Sequence, residues 1–308
     1  MKIAFLNKYQ NKVFRGAETF VYELSKRLIE NHKVDVISDI NYLDLFKKRY
    51  DIIIPTNGRL QAIVIRIITW LRGGKMIVSG QSGMGWDDRL NLYACPDRFI
   101  ALSSRALSWA RKVNPFVKSV RIPNGVDIEK FKPKETNDNK TKTVLCVGAF
   151  TKQKRLNLVI DAVSRLNGVK LILAGGGGEL RKEIAELGES KLGKERFEII
   201  TVPFDKMPGV YQRADAFTLP SESSESFGNV LVEAMASNIP VVATDDAIRR
   251  EIVGEGGILV DPTDTVEYSH AITEALYKDW DDRPRKQAEK FSWDKIAEEY
   301  ENLFKLLK

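Results

Sequence analysis

Two glutamates eight residues apart, Glu225 and Glu233, frame the stretch of this chain best suited to chemistry. Between them lie a small-residue turn, Ser226-Phe227-Gly228, and an apolar helix start at Asn229. A loop that turns into a helix offers free backbone N–H groups and the positive end of a dipole, which suits an anion. Gly228 lets the backbone approach a ligand closely. Glu233 falls on the second helical turn, within reach of the same ligand. Amides for phosphate or sugar oxygens, and carboxylates for hydroxyls, make a layout for a sugar nucleotide.

A second group of chemical residues lies upstream. Lys154 and Arg155 precede an apolar helix over 156–166, where a guanidinium can clamp a phosphate with two hydrogen bonds. Alone, the two read equally well as exposed basic residues on a loop. The glycine-rich string 80–85 contains Gln81 and runs into Trp86, Asp87 and Asp88, which are acceptor candidates. Trp86 can stack on a sugar face or anchor a loop, and Asp87 or Asp88 can serve as a base. No metal is expected: the one Asp-x-Asp string, at 279–281, lies in a turn before Pro284, and Cys95 and Cys146 have no metal or disulfide spacing.

The elements that must position these residues alternate as strand and helix, the mark of parallel α/β organisation. Strands are expected at 2–6, 34–38, 51–55, 76–79, 98–102 and 121–123, and again at 144–147, 170–174, 197–202, 216–219, 240–243 and 258–260. Helical spacing covers 17–30, Ser103 can cap the helix after the fifth strand, and a final amphipathic helix runs over 293–307. The polar, charged residues 131–143 read as a linker between two domains, a division that 308 residues support.

With 43% hydrophobic and 29% charged residues the chain is globular. The longest apolar segment, 62–71, is interrupted by Arg66 and too short to span a bilayer, and the N-terminus reads as a first strand instead of a signal peptide. A cytoplasmic setting is expected. Charge is uneven: residues 1–140 carry 25 Lys and Arg against 14 Asp and Glu, net +11, and the remainder carries 23 against 28, net −5. A basic first half suits a phosphate-bearing acceptor or an anionic membrane surface, hence a peripheral place at the inner membrane face, or simply a solvated lysine-rich surface. Nucleic acid is not expected, because the basic residues are scattered and no nucleic-acid motif accompanies them.

The Glu-x7-Glu string in ESFGNVLVEAMASNIPVVAT resembles the donor-binding signature of the retaining GT-B glycosyltransferases of family 4. RGAETFVYELSKRL, IPNGVDIEKF, VGAFTKQKRLNLVIDAV, LILAGGGGE, EIVGEGGILVDPTD and FSWDKIAEEYENLF resemble further landmarks of that family, in order along nearly the whole chain. The resemblance implies an α/β GT-B fold: two Rossmann-like domains facing across a cleft, with a C-terminal helix crossing back to the first. On that reading residues 1–130 form a short acceptor-binding domain, 131–143 a linker, 144–285 the nucleotide-sugar domain and 286–308 the returning helix.

The resemblance also implies roles. Lys154 stands at the phosphate lysine. At Ala149, where many members carry an arginine, either Arg155 or Lys152 substitutes or this branch uses less positive charge. Glu233 would take both ribose hydroxyls, Glu225 the donor sugar, and the Ser226, Phe227, Gly228 and Asn229 segment would complete the sugar site with its amides. Gly16 and Ala17 match a Gly-Gly turn near the donor phosphates, with Arg15 replacing the usual first glycine. Gly175 and Gly176 open the glycine-rich loop near the base. Gln81 stands where many relatives carry a histidine; it cannot titrate, which fits a mechanism in which the departing phosphate takes the acceptor proton.

The implied activity is metal-independent, retaining transfer of a hexosyl-type sugar from a UDP- or GDP-linked donor to the hydroxyl of a glycan or lipid-linked glycan. A GT-B sugar-nucleotide epimerase and a non-catalytic sugar-nucleotide-binding protein are the alternatives. The first would normally need acid and base carboxylates or histidines in the cleft, and the lack of a cleft histidine counts against it. The second has only Ala149 and the short first domain in its favour.

Overall fold

A computed structural model describes residues 1–10, 16–56, 58–134, 141–223 and 225–307. The chain divides into two units, Met1–Gly125 with Trp293–Lys308, and Val126–Ser292.

In the first unit β1 (Lys2–Leu6), β2 (Lys33–Ile37), β3 (Ile52–Pro55), β4 (Lys75–Ser79), β5 (Arg98–Ala101) and β6 (Ser119–Arg121) alternate with α1 (Gly16–Leu28), α2 (Tyr42–Lys48), α3 (Leu60–Arg72), α4 (Trp86–Tyr93) and α5 (Ser104–Val113). The strands form one parallel sheet in the order β2-β1-β3-β4-β5-β6. Parallel strands need a crossover between neighbours, so helices cover both faces and the central strands are apolar on both sides, as in β3. The alternation is visible in β1: Ile3 and Phe5 pack with α1, whereas Ala4 and Leu6 pack with α2 and α3.

In the second unit β7 (Thr143–Val147), β8 (Lys170–Ala174), β9 (Phe197–Ile200), β10 (Ala216–Leu219), β11 (Val241–Thr244) and β12 (Gly257–Val260) form another parallel sheet. Its order is β12-β11-β10-β7-β8-β9. The helices are α6 (Leu156–Ser164), α7 (Arg181–Arg196), α8 (Met207–Tyr211), α9 (Asn229–Ala236), α10 (Ala247–Val253), α11 (Thr265–Tyr277) and α12 (Arg283–Ala288). The core on one sheet face is built from α6 and α11, with Val159, Val163, Tyr268 and Ile272 all buried. This is the doubly wound order, in which the chain reverses direction between β7 and β10 and leaves a crevice at their carboxyl ends.

The closing helix α13 (Trp293–Lys305) belongs to the first unit. Its Trp293, Ile296, Tyr300 and Phe304 lie against α1 and the sheet. Gly125 permits this packing, since a Cβ there would sit 2.6 Å from the Trp293 ring. His32, expected to be structural, joins the same contact: its Nε2 lies 2.8 Å from a Glu301 carboxylate oxygen.

Several boundaries differ from expectation. The units divide at 125/126, ahead of the expected end of the first domain at 130. The stretch 126–134 is part of the second unit and no linker: Phe131 is buried edge-on against Phe204 and Tyr211, and Arg285 donates to the carbonyls of Ile128 and Phe131. Residues 135–140 of the expected linker lie outside the described residues. Residues 286–292 stay with the second unit, and only from Trp293 does the chain join the first. The strand expected at 121–123 is shifted to Ser119–Arg121, since Pro123 has no N–H to donate to a ladder.

Truncating Trp293, 2% exposed, to alanine is expected to destabilise the first unit by about 3–5 kcal/mol. Urea denaturation of Trp293→Ala against wild type measures this, and an unchanged midpoint would mean that α13 adds nothing to that core.

Candidate active site

The crevice at the carboxyl ends of β7 and β10 collects the reactive side chains of the second unit. The loop after β7 passes through Gly148 and a 3-10 turn at Lys152–Lys154, then enters α6 through Arg155 in a left-handed conformation, φ 48°. The loop after β10 carries Ser221 and Glu225 and enters α9 through Gly228, also left-handed at φ 93°. Glycine adopts that conformation without penalty, and the turn it makes leads directly into the first turn of α9.

The two loops meet in a short ion pair. Lys154 Nζ lies 2.6 Å from Glu225 Oε2, with both side chains about one-fifth exposed. Ser221 Oγ donates to the same carboxylate oxygen at 3.0 Å. A Cβ on Gly148 would stand 3.4 Å from the Lys154 stem, so this glycine leaves the lysine room to lie across the loop.

Arg155 is drawn into the protein framework. Its Nε donates to the Pro220 carbonyl at 2.6 Å, and its Nη2 to the Ser221 carbonyl and Thr244 Oγ1 at 3.2 and 3.1 Å. Three bonds of the fork thus hold the end of β10 and its loop. From the other side comes Arg249, 1% exposed on α10, whose Nη2 donates to Ser221 Oγ at 2.7 Å and to the Glu222 carbonyl at 3.0 Å. Its Nη1 is paired with Asp246, which also caps α10 by accepting from the amides of Ile248 and Arg249. Ser221 is therefore the hub: Arg249 donates to its hydroxyl, and that hydroxyl donates to Glu225.

Glu233 is 8% exposed on α9 and accepts a 2.7 Å bond from the Tyr211 hydroxyl. Burial pushes its carboxyl above the ordinary range, against the opposing pull of that hydrogen bond and of the Lys130 charge. Tyr211 is raised in turn by burial and by the Glu233 charge. Phe227 turns its ring inward, edge-on to Phe291 at 5.8 Å, which fixes the loop whose backbone carries the amides of Phe227, Gly228 and Asn229. Ser226 lies on the same loop.

The glycine-rich loop after β8 packs backbone on backbone against the loop after β7. A Cβ on Gly175 would lie 1.9 Å from the Gly148 carbonyl oxygen, and Gly178, at φ 110°, would meet the Phe150 carbonyl oxygen at 2.4 Å. Gly176 follows at the mouth of this loop, where a Cβ would come 3.4 Å from Thr201. Two of these glycines are thus required by the protein's own packing, whatever a ligand adds.

In the first unit Gly16 and Ala17 open α1, while Arg15 lies outside the described residues. Gln81 forms a reciprocal amide pair with Asn124, at 2.9 and 3.0 Å, and donates to Ser79 Oγ. Trp86 is 72% exposed at the start of α4. Asp87 is paired with Arg59 at 2.6 Å. Its neighbour Asp88 is buried, accepts from Asn91, and has its carboxyl pushed up to about 7 by burial and by the Asp87 charge.

Lys154, Arg155 and Glu225, expected together, are together. Ser221, Thr244, Arg249 and Tyr211 were not foreseen. Of these only Arg249 had a signal, the Asp246-x-x-Arg249 spacing of a capped helix start. Tyr211 and Thr244 act through partners that are remote in sequence, and Ser221 is tied to Glu225 four residues on and to Arg249 from afar.

Residues 127–292 match the family described as glycosyl transferases group 1. Among curated proteins, an uncharacterized glycosyltransferase of Methanocaldococcus jannaschii is 31% identical over 215 residues, 65% of this chain and 50% of that protein. A phosphatidyl-myo-inositol mannosyltransferase of Mycobacterium tuberculosis is 36% identical over 179 residues, 54% of this chain and 46% of that protein. The chain thus spans about half the length of these curated relatives. Among solved structures, HepE of Anabaena in complex with UDP and glucose superposes with a TM-score of 0.82 at 18% identity, over 99% of both chains. Sucrose-phosphate synthase of Thermosynechococcus elongatus gives 0.79 at 19% identity over 99% and 98%. These likenesses establish the GT-B fold.

The two ion pairs differ in burial and should differ in weight. Arg249→Met leaves Asp246 and the Ser221 hub without their buried cation and is expected to cost about 3–5 kcal/mol. Lys154→Ala breaks a part-exposed pair and is expected to cost less than about 1 kcal/mol. Urea denaturation of the two variants reads the contrast; equal costs would refute it. Asp88 gives a pH signature. Its folded pKa of about 7 lies above the ordinary 3.8, so the native state holds the extra proton and stability falls as pH rises between those values. Asp88→Asn is expected to melt higher than wild type at pH 8, with the gap closing towards pH 4. A gap that is constant with pH would contradict the raised pKa.

Proposed function

We propose, since the chain belongs to the glycosyl transferases group 1 family, that it moves a sugar from a nucleoside-diphosphate sugar to an acceptor hydroxyl with retention of anomeric configuration and without a metal ion. The observation that carries this reading is the Lys154–Glu225 pair at the β7/β10 crevice, four residues ahead of the α9 N-terminus. A cation, a helix N-terminus and a carboxylate in one place answer the diphosphate and the hydroxyls of one ligand.

In the proposed reaction the bond from the anomeric carbon to the diphosphate oxygen breaks. The acceptor oxygen bonds to that carbon on the same face, and the acceptor proton passes to the departing phosphate oxygen. Negative charge on the leaving group grows along this path, and Lys154 with the α9 amides offsets it. Lys154 would exchange part of its contact with Glu225 for the phosphate, which frees Glu225 to accept from sugar hydroxyls. Glu233 would accept from the ribose diol, with Tyr211 holding its carboxylate in place. Arg155 and Arg249 would serve by fixing the loop that carries Glu225.

A UDP-linked donor is favoured over a GDP-linked one by the UDP complex of HepE. A lipid-linked or phosphate-bearing acceptor is favoured by the basic first half and by the inositol lipid in the name of the mycobacterial relative.

Thermal unfolding with a panel of nucleoside diphosphates tests donor binding, because a ligand specific to the native state raises the melting temperature. Stabilisation by one nucleotide is expected for wild type. Glu233→Gln should lose it yet melt higher than wild type without ligand at neutral pH, since it removes a carboxylate whose raised pKa penalises the native state above about pH 4.5. Lys154→Ala should lower kcat by roughly 10²–10³, and chelator should leave wild-type turnover unchanged. Absence of stabilisation by any nucleotide at millimolar concentration would defeat the reading. Epimer formation without acceptor would replace it with the epimerase alternative.

A further inference from the structure

A surface helix ordinarily pairs a buried apolar stripe with a polar outer face. Helix α3 does not. Its inward side is apolar as expected, with Ala62, Ile65 and Ile68 buried. Its outward side is apolar as well: the exposed residues between Leu60 and Arg72 are Leu60, Ile63, Ile67, Trp70 and Leu71, and all are large hydrophobics. Their exposures run from 48% for Ile63 to 77% for Leu60. At about 100° per residue these five positions fall within an arc of roughly 100°, a continuous stripe along the helix. The stripe widens onto α2, where Leu43 is 71% exposed and Phe46 lies under the Arg72 guanidinium, 4.7 Å from its ring centre.

An apolar surface of this extent marks an interaction site, and the surrounding charge selects the partner. The end of α2 supplies Lys47, Lys48 and Arg49, all exposed. Beside Arg66 of α3 opens a cavity of about 430 Å³, lined by Lys75, Arg98 and Lys118 with one acid, Asp97, and by Phe116, which is 93% exposed. No acidic residue occurs within α3. A water-facing helix with a hydrophobic stripe, a tryptophan near its end and a cationic border matches an element lying in the plane of a bilayer interface, side chains in the acyl region and cations at the headgroups. No helix among the described residues is long and apolar enough to cross a membrane, so the contact is one of lying on the surface.

We infer that the α2–α3 face of the first unit docks on an anionic lipid bilayer, with Leu60, Ile63, Ile67, Trp70 and Leu71 entering the interface and the Arg66–Lys118 cavity taking lipid headgroup phosphate. This deepens the acceptor reading above by supplying a surface for it, but it stands on the α2–α3 face and its basic border and needs no donor.

The test is co-sedimentation of the full chain with vesicles of phosphatidylcholine, with and without phosphatidylglycerol, at about 0.1 M salt. Wild type is expected to bind the anionic vesicles and to bind neutral ones weakly, with binding falling at 1 M salt. Ile67→Glu with Trp70→Glu should lower the bound fraction roughly tenfold or more. Because both side chains are exposed, far-UV circular dichroism should remain that of wild type. Ile67→Ser with Trp70→Ser is a milder pair that should bind at an intermediate level. Lys75→Glu with Lys118→Glu should lose the preference for anionic lipid but keep the weak neutral binding. Failure of wild type to bind anionic vesicles, or equal binding by the Glu pair, overturns the inference. So does a wild-type dimer that binds no vesicle and becomes monomeric in the Glu pair, which would assign the stripe to a second copy of the chain. None of these readouts involves a nucleotide, so they fail or succeed independently of the donor site.

Discussion

The segment Pro220–Glu222 is where the second unit's architecture becomes chemistry. It leaves the sheet at the point where the strand order reverses, and a connection there must be held or it would wander. Arg155 holds its carbonyls from the β7 side and Arg249 holds its hydroxyl and the next carbonyl from the α10 side. Both arginines use planar forks to bind oxygens that no secondary structure satisfies. Because Ser221 is fixed, Glu225 is fixed, and because Glu225 is fixed, Lys154 has a defined place across the loop from it. An anionic ligand entering this crevice meets a site whose groups are already oriented, which is the condition for electrostatic stabilisation without reorganisation.

The same economy governs Glu233. A buried carboxylate without a partner is costly. Tyr211 provides one bond, and the raised pKa records that one bond does not fully compensate burial. The site therefore carries stored unfavourable solvation that a hydroxyl-bearing ligand can relieve. Local instability of this kind is common where a protein must bind.

The two units solve the problem of a parallel sheet alike but finish their surfaces differently. Helix α7 covers its sheet with a solvent side rich in lysine and glutamate, whereas α3 buries alanine and isoleucine and turns leucine, isoleucine and tryptophan outward as well. The first unit is also incomplete without a segment from the far end of the chain. Helix α13 brings Trp293 and Tyr300 into its core, so the order of folding along the chain is not the order of assembly in space.

The sequence by itself determined the strands and the Glu225–Glu233 element. A buried parallel strand is a short apolar run, and a left-handed glycine before an apolar helix is a local signal; both are written in adjacent residues. It also singled out Lys154, which the structure pairs with Glu225. It did not reveal that Phe131, one aromatic in a charged stretch, is a core residue, nor that Arg155 spends its fork on carbonyls. Tyr211, Ser221 and Arg249 were invisible as site residues for the same reason. The bonds that tie them together span 22 residues from Tyr211 to Glu233, 28 from Arg249 to Ser221 and 66 from Arg155 to Ser221, and only the packing of the β-strands and their loops side by side brings such distant residues within hydrogen-bonding range. The outward stripe of α3 shows the complementary limit. Its hydrophobicity is plain in the sequence, where 62–71 is the longest apolar segment; only tertiary packing decides which side of a helix the core consumes and which side it leaves to the solvent.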